Sequence, residues 1–296
     1  MLPKGKLDQA EGLRRLLVRP SLRVLTVVGA SRGLGATSVV VNLAAALAGA
    51  GKQVLVMDEN PAPDNVACAL ALKPRYDLLN AVRDDMPVRD IMLHTDYGVH
   101  VLPVAKAMLA LAKLGGAERE RLLQSLSAAA MGMDVVLVDA TAAGHSVCAS
   151  LAGDAPLLLV LNATAEGITE SYALLKQLAE INGRRDFDLV VNKARSEAEA
   201  RTVYENMAQV AERHLQVKLK YLGSIPLDEQ LGQATRLCRP LQEVFPSAPA
   251  ARALAALARN LMLLPLVEKN DSNALSRLMQ RLLQREPSGK ILHVVR

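Results

Sequence analysis

Short apolar runs recur along the chain, each separated from the next by enough residues to hold a helix. Seven of them have strand length: 23–29 (RVLTVVG), 53–58 (QVLVMD), 99–104 (VHVLPV), 134–139 (DVVLVD), 156–162 (PLLLVLN), 187–192 (FDLVVN) and 219–226 (LKYLGSIP). They are rich in Val and Leu and do not alternate with polar residues, which predicts strands buried on both faces. Between them, apolar positions return every three to four residues and predict helices over 37–48, 118–129, 168–181 and 197–215. The first of these closes on GAGK, a glycine C-cap. Strand and helix in alternation predict an α/β fold, a doubly wound, mostly parallel sheet flanked by helices.

Two segments fall outside this alternation. Residues 1–20 read as a short amphipathic helix, LDQAEGLRRLLV, closed by Pro20. Residues 248–296 hold APAARALAALARNLMLL, small and apolar enough to be core, then a linker around Pro265 and the basic amphipathic stretch DSNALSRLMQRLLQRE. In that stretch Leu275, Leu278, Met279, Leu282 and Leu283 share one side, flanked by Arg277, Arg281 and Arg285. Such a helix suits an anionic membrane surface, and equally its own domain or a partner.

Composition narrows the picture. The chain is 51% hydrophobic but 2% aromatic, with no Trp and two Phe, so its core is aliphatic. A net charge of +5 suits an acidic surface such as anionic lipid and is too small to argue for nucleic acid. Cys68, Cys148 and Cys238 lie far apart, which argues against a disulfide framework or zinc site and predicts buried structural thiols in a reducing cytosol. The five histidines show no ligand spacing. The N-terminus reads as too polar for a signal peptide, and no run approaches the roughly 20 apolar residues of a membrane span.

The stretch GASRGLGATS (29–38) joins the first strand to the first helix. In an open α/β sheet, ligands sit beyond the carboxyl ends of the strands, and a helix N-terminus there offers N–H groups to an anion. Gly33 and Gly35 would let the backbone wrap a phosphate, while Thr37 and Ser38 supply hydroxyls where a phosphate loop places its Mg²⁺ ligand. Taken alone, the pattern also suits a plain glycine turn.

Further along stand DENPAPDN (58–65), DVVLVDATAAG (134–144), LVVNKARS (189–196), GSIPLDE (223–229) and, near the start, LDQAEGLRRLL (7–17). With the loop, they resemble the deviant-Walker P-loop ATPases of the MinD and ParA class (SIMIBI type) across essentially all of residues 22–262. Within that class they are most similar to the flagellar number regulators of the FlhG/FleN type. That family's loop, K-G-G-x-G-K-T-[ST], falls on Ser31, Arg32, Gly33, Leu34, Gly35, Ala36, Thr37 and Ser38. The glycines flanking Leu34 and the hydroxyls match; both lysines are lost, to Ser31 and Ala36. A hydrogen bond to a charged group contributes about 1.5–3 kcal/mol, so each loss costs one to two decades of affinity.

The same resemblance implies roles for other positions. Asp58 matches the first Asp of the family's D-x-D and Asn65 its later Asn, while the second Asp, which orients the attacking water, has become Asn60. Asp139 matches the metal-proximal Walker B carboxylate, so Thr37, Asp58 and Asp139 form the implied metal set; Asp58 also suits a strand-end cap. Asn192 and Pro226 match the base-side positions, although Asn at a strand end is often a turn former. ATP or ADP with Mg²⁺ is therefore the implied ligand, bound weakly, with slow or absent hydrolysis unless Arg32 replaces the lysines. The N-terminal D-Q-A-x-x-L-R motif falls on Asp8, Gln9, Ala10, Leu13 and Arg14, the segment that in this family stimulates the signal-recognition-type GTPase FlhF. The same residues would also serve as a capped helix folded on its own domain.

The resemblance thus implies three parts: a GTPase-activating segment (1–20), an ATPase domain (21–264), and a linker with a basic tail (265–296). It implies a cytoplasmic regulator of flagellar assembly, peripheral at the inner membrane or cell pole. Its implied contacts are FlhF, flagellar switch, basal-body or transcriptional components, and a second copy in a nucleotide-dependent dimer. The rival readings are a working ATPase that cycles on membrane and a ParA-like positioning protein for other cargo.

Overall fold

The computed structural model describes residues 22–61, 63–141, 146–151 and 156–263. The DQAxxLR motif (Asp8, Gln9, Ala10, Leu13, Arg14) and the basic C-terminal stretch lie outside the described residues. The strands are β1 (Arg23–Gly29), β2 (Val54–Asp58), β3 (Leu93–His94), β4 (Val99–Pro103), β5 (Val135–Asp139), β6 (Leu157–Asn162), β7 (Asp186–Ala194) and β8 (Lys218–Pro226). They form one sheet in the order β3-β4-β2-β5-β1-β6-β7-β8. Every neighbouring pair is parallel except β3 with β4. The doubly wound α/β architecture expected from the apolar runs is therefore present. Only β3 escapes that pattern, because a two-residue edge strand containing a histidine leaves no apolar run.

Successive strand residues point to opposite faces, and each set meets a different helical layer. Leu25, Val27, Val54, Val56, Leu158 and Val160 pack with the helices Ala36–Gly49 and Pro249–Leu263. On the other face, Leu55, Met57, Val136 and Val138 meet Leu78–Arg83 and Gly116–Ala130. Beside them, Val28, Leu159, Leu161 and Val191 meet Ala165–Asn182 and Glu197–Leu215.

The run of small apolar residues near the end of the domain is core, as its composition predicts: Ala250, Ala251, Leu254, Leu257, Ala258 and Leu261 are buried at helical spacing. Two long-range polar bonds fasten this region. Arg23 donates from its guanidinium to the Leu261 carbonyl at 3.2 Å, and the buried Asn42 accepts from the Leu241 N–H at 2.6 Å. The expectation of three buried thiols is corrected. Cys148 is buried, but Cys68 is exposed on the short helix Val66–Ala69 and Cys238 is half-buried at a turn with φ 52°. Among the described residues no helix is long and apolar enough to cross a membrane.

Candidate functional site

The central strand β1 sends its carboxyl end into the loop 30–35, which leads directly to the helix Ala36–Gly49. Gly33 and Gly35 are both left-handed, at φ 85° and 96°, a conformation that costs other residues about 1–2 kcal/mol. A Cβ at Gly33 would meet nothing within 4 Å, so the backbone there borders open space. A Cβ at Gly35 would stand 2.4 Å from Asn192 Nδ2, so no larger residue fits without displacing that amide.

Both positions where a lysine was expected hold side chains turned to other work. The Ser31 hydroxyl donates to the carboxylate of Glu170, on the helix Ala165–Asn182. Ala36 packs against the apolar cluster beneath the loop. Arg32 is exposed. The cation that does reach the loop comes from elsewhere: Lys193 Nζ donates to the Gly33 carbonyl at 2.7 Å. Beside it, Asn192 Nδ2 donates to the Leu34 carbonyl at 2.9 Å, and its Oδ1 accepts from the Lys193 N–H at 3.0 Å. Pro226 lies at the end of β8, paired with Ala194 on β7.

Below the loop, parallel pairing brings three of the expected residues together. Asp58 and Asp139 are register partners at the ends of β2 and β5. The Thr37 hydroxyl donates to Asp139 Oδ2 at 2.8 Å. Asp139 is 1% exposed, yet its Oδ1 and the hydroxyl of Thr141 have no hydrogen-bond partner. Burial, and then the neighbouring Asp58 charge, holds the Asp139 carboxyl well above the usual carboxylate range. Burial also pushes Asp58 up to about 6, although the Ala67 and Asn60 N–H groups donate to it and lower it in part. Asp58 thus braces the loop that follows β2 as well as facing Asp139. Asn65 continues that bracing: it caps the helix Val66–Ala69, and its Nδ2 donates to the Asn60 carbonyl.

The replacement of a carboxylate by Asn60 is not made good by its neighbour. Glu59 is 3% exposed and wholly engaged. It accepts from the Ser146 hydroxyl at 2.6 Å, the Val147 N–H at 2.7 Å and the Cys148 N–H at 3.1 Å. Its own N–H donates to the Asp139 carbonyl at 3.1 Å. Glu59 therefore ties the segment after β2 to the segment after β5. Sequence reasoning missed it, as it missed Lys193 and Glu170, since the partners lie far away along the chain.

A nucleotide and its Mg²⁺ can be tested against this arrangement. The orphaned Asp139 Oδ1, the Thr37 hydroxyl and Asp58 are hard oxygen donors of the kind Mg²⁺ takes. Among the described residues there is no group of three or more His, Cys, Asp or Glu able to hold a metal ion by itself. Left-handed glycines ahead of a helix N-terminus are the backbone arrangement that suits an anion. Fold and loop define a P-loop nucleotide-binding protein whose loop has no lysine of its own.

Comparison with known proteins agrees. The family model of the CobQ/CobB/MinD/ParA nucleotide binding domain matches residues 25–237. The antiactivator FleN of Pseudomonas aeruginosa is 32% identical over 269 residues, 90% of this chain and 96% of FleN. The flagellum site-determining protein YlxH of Helicobacter pylori is 22% identical over 240 residues, 80% of each chain. Among solved structures, the septum site-determining protein MinD of Pyrococcus horikoshii, complexed with Mg-ADP, superposes with a TM-score of 0.61 at 20% identity, covering 81% of this chain and 96% of that one. The chain belongs to the MinD/ParA nucleotide-binding family, and within it to the FlhG/FleN type.

Proposed function

We propose that this chain regulates the number and placement of flagella by contact, through a MinD-like core in which ATP hydrolysis is impaired. The flagellar relatives support the biological setting. The observation that carries the chemical half is the reaction centre itself: Ser31 and Ala36 stand where lysines are expected, Asn60 where a carboxylate is, and Glu59 is committed to Ser146, Val147 and Cys148. An amide cannot take a proton as a carboxylate can, and a nearby carboxylate with every oxygen occupied cannot orient water.

In this reading the chain has three parts. Residues 1–20 present Asp8, Gln9, Ala10, Leu13 and Arg14 to the partner GTPase FlhF and stimulate it, Gln9 orienting water at the partner's phosphate site. Residues 21–264 form the nucleotide-fold core that docks other flagellar components and pairs with a second copy when nucleotide is bound. Residues 265–296 hold the core at the inner membrane near the pole. Gly33, Leu34, Gly35, Thr37 and Ser38 would cradle the phosphates, Asn192 and Pro226 would flank the base, and Thr37, Asp58 and Asp139 would sit beside Mg²⁺. The nucleotide would supply a bound anion that fixes the loop, with little turnover.

The test is a GTPase assay on purified FlhF with the full chain and with a chain lacking residues 1–20. Stimulation by the first and not the second is expected. Equal stimulation by both, or by neither, would remove the proposed role of the segment. ATP turnover at the rate of an ordinary member of the class would favour a membrane-cycling ATPase using Arg32 instead.

A further inference from the structure

The loop that reads as a phosphate cradle has no lysine of its own, and β7 brings one to it. Lys193 is exposed and left-handed, at φ 56°, a conformation uncommon for residues other than glycine. Strained positions of this kind persist where surrounding contacts hold them. Lys193 falls in the irregularity of the β7–β8 pairing between Val191 and Ala194, and from there its Nζ donates to the Gly33 carbonyl at 2.7 Å, with Asn192 Nδ2 on the next carbonyl, Leu34, at 2.9 Å.

Peptide geometry gives these two bonds a consequence. A trans peptide is planar, so its C=O and N–H point in opposite directions. With the Gly33 and Leu34 carbonyls drawn toward β7, the N–H groups of Leu34 and Gly35 are turned away from it. Those are the groups a phosphate loop offers to an anion. Without the latch, the glycines that give the loop its shape would also let these peptides rotate.

We propose that Lys193 is the positioning cation of this loop. With Asn192 it presets the Leu34 and Gly35 N–H groups as anion donors, and it supplies positive charge beside a cradle that lacks its own lysines. The inference rests on the reading of residues 29–38 as a phosphate cradle. It differs from that reading in predicting that binding of a bare polyphosphate depends on a residue of β7.

The informative variant is Lys193→Gly. Glycine adopts the left-handed backbone without strain, so the fold is kept while the ammonium is removed. Hydrogen exchange at the amides of residues 31–37 is compared in the full chain, for wild type, Lys193→Gly and Lys193→Arg. Each is measured free, with Mg²⁺ and tripolyphosphate, and with Mg²⁺ and ATP. Free Lys193→Gly should melt no lower than wild type yet exchange in this loop about tenfold faster or more, the loss of a charge-assisted hydrogen bond. Tripolyphosphate should protect the loop in wild type and in Lys193→Arg, and not in Lys193→Gly. Equal exchange in the free wild type and Lys193→Gly, or equal protection of both by tripolyphosphate, would overturn the latch and leave the cradle reading standing. Protection of wild type by neither ligand would overturn the cradle as well.

Discussion

Replacing Glu59 by alanine should loosen the two segments that face each other across the carboxyl edge of β2 and β5. The carboxylate accepts three hydrogen bonds, from the Ser146 hydroxyl and from the N–H groups of Val147 and Cys148. Ser146 and Cys148 are buried, at 4% and 1% exposed, so water does not readily replace the lost acceptor. A buried donor left without a partner costs about 1–3 kcal/mol. Against this stands the relief of the buried carboxyl, which burial holds above its ordinary range. The three donors share one acceptor and do not add independently. A net destabilisation of about 2–4 kcal/mol for Glu59→Ala follows. Glu59→Gln keeps one acceptor oxygen and fills the same volume, and the Ser146 hydroxyl can turn to accept from the new amide. Its cost should stay near 1 kcal/mol. Urea denaturation at pH 7, followed by circular dichroism, measures both, and limited proteolysis reports whether residues 59–65 become accessible. A Glu59→Ala protein within about 0.5 kcal/mol of wild type would refute the claim that this carboxylate locks the segments. So would a Gln variant as unstable as the Ala variant.

Other consequences can be checked separately. Ala36→Lys should tighten ATP binding by about ten- to hundredfold, read with a fluorescent nucleotide analogue, and Ser31→Lys should add to it while breaking the bond to Glu170. Asp58 carries a folded-state pKa of about 6 against an ordinary 3.8, so its contribution to stability is full at acid pH and is lost as pH rises through 6. Asp58→Asn removes that loss. Its stability relative to wild type should therefore rise by up to about 3 kcal/mol between pH 4 and pH 7, measured by urea denaturation at several pH values. Gly35→Ala places a Cβ 2.4 Å from Asn192 Nδ2 on a backbone at φ 96°. It should lower stability by about 1–2 kcal/mol and abolish phosphate binding, the former read by thermal denaturation and the latter by titration.

The apolar runs were enough to place seven strands within a residue or two of where they lie, because strands buried on both faces leave an unmixed hydrophobic signature. The edge strand β3 leaves no such signature, being two residues long. The grouping of Thr37, Asp58 and Asp139 came from the family resemblance, and the parallel pairing of β2 with β5 and the bond from Thr37 to Asp139 account for their meeting at one edge. The contacts that decide what the site can do were not legible in the sequence. Glu59 meets residues more than eighty positions away, Ser31 meets Glu170, and Lys193 meets Gly33. Periodicity reports which face a residue takes and says nothing of which distant atom it will touch. Nor does the letter K at position 193 announce a left-handed backbone, which falls where the β7–β8 pairing turns irregular between Val191 and Ala194.

The central claim is that a nucleotide fold has kept its cradle and lost its charge clamp. Isothermal titration of the purified full chain with ATP and Mg²⁺ tests it most directly. Loss of two lysine contacts, at about 1.5–3 kcal/mol each, predicts a dissociation constant near the millimolar range where an intact loop gives micromolar. Low-micromolar affinity in the unmodified protein would contradict the account.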